Sequence, residues 1–158
     1  MSGRQKFEND ILTLMSKLTV DENESEEKQL NRLKDWLLKL HEENVVKINH
    51  SVMELVCAKY LVQREYQVQL EYPLNEILNC DLFAVKGLGN FIIEIETCFI
   101  PPENALAPLT YTSARLASKI IRYSSFAGKF ALGVPPHYIL PFPPVLAKPP
   151  RNRTDQEI

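Results

Sequence analysis

No run of apolar residues in this chain approaches the roughly 20 needed to cross a bilayer, so no stretch reads as a membrane span. The stretch from Met1 to Lys17 mixes polar and apolar side chains and includes Glu8 and Asp10. It does not read as a secretory signal peptide, and the expected compartment is the cytoplasm. Cysteine is scarce. Cys57, Cys80 and Cys98 are odd in number and match no zinc spacing, which argues against a disulfide scaffold and leaves free core thiols. His41, His50 and His137 are scattered and suggest no ligand pair, so each is expected to be structural or exposed. There is no phosphate-binding Lys loop and no Gly-x-Ser-x-Gly elbow. Gly87-Leu88-Gly89 is too short for a dinucleotide fingerprint and lies between strand-like runs.

What remains is an ordinary globular composition, 45% apolar and 24% charged over 158 residues, enough for one domain with a real core. The expected division is an N-terminal helical extension over 1–48, a core over 49–134 and a Pro-rich tail over 135–158, with no internal repeat. The net charge of −2 hides an asymmetry. Residues 97–158 hold 3 acidic and 7 basic side chains, a local balance of +4, which hints at a polyanionic partner.

Apolar spacing predicts helices over 5–18 and from Ser25 to about Asn44, the second with a stripe of Leu30, Leu33, Trp36, Leu37 and Leu40. Ser51-Val52-Met53-Glu54 reads as a capping box that opens a third helix, to about Glu65. Val68, Leu70 and Tyr72 alternate with polar residues in a half-exposed strand. Two apolar runs then flank Gly87-Leu88-Gly89-Asn90. A fourth helix follows, capped by Thr112 or Ser113 and closed by Gly128, and a buried strand over 129–134. The fold class expected is α/β: an α-β-β-β-α-β core with a mixed central sheet flanked by helices, preceded by two further helices. The last strand is placed to return parallel to the hairpin sheet.

The two runs around the Gly-Leu-Gly-Asn turn carry Asp81, Glu94 and Glu96. Acidic residues are poor strand formers and are rarely buried unless paired or bound to metal. A two-residue turn at Gly87-Leu88 places Asp81 opposite Glu94, and a four-residue turn places it opposite Glu96. Either register puts all three on one face, with opposed Cβ atoms roughly 5 Å apart, so that two carboxylates can share one cation. Mg²⁺ or Mn²⁺ suits such oxygen ligands.

This order, with Asp early in the second strand and Glu94-Ile95-Glu96 in the third, resembles the PD-(D/E)XK nuclease superfamily over about residues 50–134. The resemblance implies a restriction-endonuclease-like fold and a Mg²⁺- or Mn²⁺-dependent endonuclease that hydrolyses DNA. Asp81 matches the motif Asp, Glu94 the acidic residue of (D/E)XK, and Glu96 the Lys position, which implies that Asp81 and Glu94 bind the metal and that Glu96 is a further ligand or orients and deprotonates the attacking water. Glu54 matches an extra acidic metal residue of some members. Two positions depart from the pattern: Cys80 precedes Asp81 where Pro is usual, and Glu96 replaces Lys. Lys119 on the fourth helix is the candidate to supply the missing cation. Arg115, Lys119 and Arg122 would contact DNA. A homodimer is expected for cutting two strands, with the N-terminal helices as candidate interface.

Simpler roles stand beside these. Glu54 fits the capping box, Glu94 and Glu96 fit ion pairs with Lys119 or Arg115, and Arg115, Lys119 and Arg122 fit a solvated helix face. The alternative function keeps the fold without catalysis, as a nucleic-acid-binding or assembly protein.

Overall fold

A computed structural model describes residues 3–157. The helices are α1 (Gly3–Leu18), α2 (Glu24–Glu42), α3 (Ile48–Val62) and α4 (Pro108–Tyr123). The strands are β1 (Gln67–Pro73), β2 (Asn79–Lys86), β3 (Gly89–Ile95) and β4 (Lys129–Gly133). They form one mixed sheet in the order β1-β2-β3-β4, with antiparallel β1-β2 and β2-β3 pairs and a parallel β3-β4 pair. The α/β class and the parallel return of the last strand are as the sequence implied.

Local chemistry sets the boundaries. The second helix starts earlier than Ser25. Asn23 caps it, accepting the Glu26 N–H while the Glu26 carboxylate accepts the Asn23 N–H, both at 3.0 Å. The third helix also starts early, at Ile48 after Lys47, which gives no side-chain cap. Ser51 and Glu54 therefore sit inside α3 and form no capping box. Pro108 opens α4 before Thr112 and Ser113 are reached, at a position where its missing N–H costs nothing. β4 is half-buried rather than fully buried.

The hairpin between β2 and β3 turns on Gly87 and Leu88, pairing Lys86 with Gly89. Gly87 has φ +59°, as the first position of a type II′ turn requires. Gly133 ends β4 for a different reason. A Cβ there would stand 2.7 Å from Ile95 Cδ1 and 3.0 Å from Cys57 Sγ.

The sheet is covered on both faces. Phe7, Ile11, Leu30, Leu37, Leu55 and Leu61 from α1–α3 bury against Val68, Leu82, Ile93 and Ile95. On the other side Tyr123 of α4 packs with Cys80 and Ile92, alongside Tyr72, Phe83 and Phe130. The N-terminal helices thus share the core of the segment over 49–134, and the α2 leucines are used within the chain rather than toward a partner. The three cysteines are free and at least half-buried. Burial pushes Cys80 up to about 12 and Cys57 up to about 11, so neither is a reactive thiol. Leu146 and Arg153 anchor the Pro-rich tail. The Arg153 guanidinium donates to the Leu146 and Lys148 carbonyls and to the Ser124 hydroxyl. Among the described residues, no helix is long and apolar enough to cross a membrane.

Candidate metal centre

The ladder between β2 and β3 stops at Leu82 and Ile93. At the next level the carboxylates take over the backbone donors. Asp81 N–H donates to Glu94 Oε1 at 3.0 Å, and Ile95 N–H donates to Asp81 Oδ2 at 2.6 Å. The same level is broken between β1 and β2. Leu70 pairs with Leu82 and Tyr72 with Cys80, but Glu71 and Asp81 between them do not pair. Glu71 has φ +50°, a left-handed conformation that is costly for a non-glycine residue. One row of three acids, Glu71, Asp81 and Glu94, therefore crosses β1, β2 and β3 where the sheet opens.

Helices close on that row from two sides. From α3, His50 Nε2 lies 3.1 Å from Asp81 Oδ1 without the alignment of a hydrogen bond. Glu54, one turn further along α3, is completely buried, and neither carboxylate oxygen has a partner. From α4, the Lys119 ammonium stands 3.5 Å from Glu94 Oε2 and 3.7 Å from Asp81 Oδ2, and donates to the Ile95 carbonyl.

Each acid answers to this environment. Burial, then the charges of Glu71, Asp81 and Glu94, pushes Glu54 up to about 9. Burial and the Asp81 charge raise Glu94 to about 7, against the Asp81 N–H and Lys119. Burial and Asp81 also raise Glu71, with His50 and Lys119 opposing. Burial acts to raise Asp81 as well, but His50, Lys119 and the Ile95 N–H outweigh it and hold Asp81 below its usual value. One member of the row stays ionised while its neighbours compete for protons.

His50, Glu54, Glu71 and Asp81 bring one ligand atom each within 4.8 Å of one another. Around a cation bonded at about 2.1 Å, adjacent ligands lie about 3 Å apart and opposite ones about 4.2 Å. The 3.1 Å His50–Asp81 spacing is that of adjacent ligands, and the set needs little closure. The buried Glu54 carboxyl, with neither oxygen in a hydrogen bond of good geometry, is a ligand that a cation would satisfy. The cluster can hold a metal ion.

The structure thus brings Asp81, Glu94, Lys119 and Glu54 together. Of the four expected metal ligands, Asp81 and Glu54 fall in the ligating set, Glu94 lies beside it against Lys119, and Glu96 is drawn elsewhere. It is 1% exposed, with Oε2 2.7 Å from Arg115 Nε and Oε1 accepting the Cys98 N–H at 2.8 Å. Arg115 is spent on that pair. Arg122 remains exposed, with its guanidinium 5.3 Å from the Tyr123 ring centroid. Two cluster residues lie outside the site expected from the sequence: His50, expected to be structural or exposed, and Glu71. The signal for His50 was its spacing from Glu54, one helical turn on the same face.

Scans against protein-family models, curated proteins and solved structures each return no match.

Proposed function

We propose that the chain is a metal-dependent nuclease that hydrolyses phosphodiester bonds of DNA, of the PD-(D/E)XK type. The observation that carries the reading is Lys119. An ammonium from α4 meets Asp81 and Glu94 at the broken end of the sheet, beside a partly buried cluster with metal-ligating chemistry. This combination answers the departure in the third strand, where Glu96 stands in the Lys position.

His50, Glu54, Glu71 and Asp81 would hold the cation. Three carboxylates and one imidazole suit Mn²⁺ better than Mg²⁺, which prefers oxygen throughout. When bound, the cation supplies Lewis acidity toward a phosphoryl oxygen and lowers the pKa of bound water. Asp81 is kept ionised and oriented by the Ile95 N–H. Glu94, with its pKa raised to about 7, accepts the proton of the attacking water. Lys119 offsets negative charge developing on the phosphoryl group. The basic balance of residues 97–158, with Arg122 exposed, favours a nucleic acid over a small phosphate ester. Cutting both strands calls for two sites, hence a homodimer.

One observation favours a second reading, a nuclease fold without catalysis that serves in binding or assembly. The Arg115–Glu96 pair locks the position where the resemblance places a catalytic lysine. Purified protein incubated with branched, supercoiled and single-stranded DNA plus Mn²⁺ or Mg²⁺ separates the two. The nuclease reading expects cleavage that Asp81→Ala abolishes. Metal binding with no cleavage on any substrate selects the second reading.

A further inference from the structure

A groove of about 490 Å³ runs between α2 and the outer edge of β1, walled by Arg32, Leu33, Trp36, Gln69, Glu71 and Tyr72. Its wall includes Glu71, which also belongs to the metal-ligating cluster, so groove and cluster meet at that residue. We infer that this groove is the track for an unpaired DNA strand, held beside the cluster at Glu71. The inference rests on the nuclease reading and names its substrate class.

The lining chemistry fits that occupant. Trp36 is 39% exposed although its Nε1 is anchored to the Leu70 carbonyl at 3.1 Å, so the indole is fixed and partly open. A fixed aromatic face is what an unpaired base stacks on. Two exposed cations flank it. Lys39 Nζ lies 5.3 Å from the Trp36 ring centroid, and Arg32 spends only Nη2 on the Val68 carbonyl. Such cations track a phosphate backbone. The size fits a nucleotide or two and is far too small for a duplex. A peptide strand adding to the edge of β1 is a poor competitor. Three of the backbone groups it would use are already taken: the Val68 N–H by Gln29, the Val68 carbonyl by Arg32, and the Leu70 carbonyl by Trp36.

Trp36 is the sole tryptophan, so its emission reports on the groove directly. The full chain, free of metal, is titrated with an oligothymidylate of about ten residues and with a duplex of equal length. The expected result is saturable quenching by the single strand, at least tenfold weaker for the duplex. Arg32→Gln keeps a donor for the Val68 carbonyl without the charge, and should weaken binding at least tenfold with an unchanged melting temperature. Lys39→Gln, at an exposed position away from the edge bonds, should weaken it several-fold and serves should Arg32→Gln fail to fold. No quenching, an equal response to duplex, or unaltered affinity in folded variants overturns the inference. DNA cleavage without a Trp36 response removes the groove and leaves the nuclease. A Trp36 response in a protein that cuts no DNA removes the nuclease and leaves strand binding.

Discussion

At the scale of single residues, Glu54 is the unusual group: a buried carboxyl with two unsatisfied oxygens in a cluster of acids. Its pKa of about 9 in the fold stands above the ordinary 4.5. Between these values the folded state holds a proton that the unfolded chain has released. The metal-free protein therefore loses stability as pH rises through that window, by an amount on the order of 3 kcal/mol by pH 7. Glu94, raised to about 7, has the same sign. Glu54→Gln should raise the melting temperature of the metal-free protein at pH 8 and flatten its dependence on pH between 5 and 8. Thermal melts across that range check this. The same substitution should weaken cation binding, so stability and function trade at one position. On the nuclease reading, Lys119→Met should lower DNA cleavage by about 10²–10³ without weakening cation binding, since it removes charge stabilisation rather than a ligand. Single-turnover cleavage rates beside a metal titration check the pair.

At the scale of elements, α4 is oriented by its basic face. Arg115 reaches Glu96 and Lys119 reaches Asp81 and Glu94, so residues at i and i+4 grip two successive same-face acids of the β3 end. The Tyr111 hydroxyl accepts from Arg115 Nη1 at 3.1 Å and braces the grip. Arg115→Ala strands a buried carboxylate at Glu96 and should cost about 3–5 kcal/mol by denaturant unfolding. Arg115→Ala with Glu96→Gln should recover much of that loss, because the uncompensated charge is gone. The hairpin was legible for a simple reason: period-two alternation and a two-residue turn led by Gly87 leave few registers. The β1–β2 connection carried similar information. A five-residue loop over 74–78 pairs Pro73 with Asn79 and brings Glu71 level with Asp81. The start of α3 was misread because Ser51 and Glu54 satisfy a capping-box pattern. The helix begins one turn earlier, and the box residues become buried site residues instead. Propensity rules see the local pattern. They do not see that tertiary contact extends the helix at Ile48.

At the scale of the whole molecule, the N-terminal helices serve the core and the sheet edge together. Leu30, Leu33, Leu37 and Leu40 are buried, while Gln29, Arg32 and Trp36 on the neighbouring face of α2 satisfy the outer edge of β1. An uncovered edge of this kind is a template for aggregation. The stripe of leucines was readable in the sequence, but its destination was not, because a stripe does not say which surface it meets. Leu37→Ala, at a fully buried position, should cost about 2–5 kcal/mol by denaturant unfolding. Those leucines are used inside the chain, so the homodimer proposed above would need another surface. The cluster draws on α3, β1 and β2, and α4 with Glu94 of β3 closes its other side, so a single cation would tie α3 to the sheet. The most direct measurement is a calorimetric titration of the metal-free chain with Mn²⁺. One ion per chain should bind with proton release, at least tenfold more weakly in Glu54→Gln and in His50→Gln, and unchanged in Glu96→Gln. Absence of binding, or equal affinity in all four proteins, would contradict a cation held by His50, Glu54, Glu71 and Asp81.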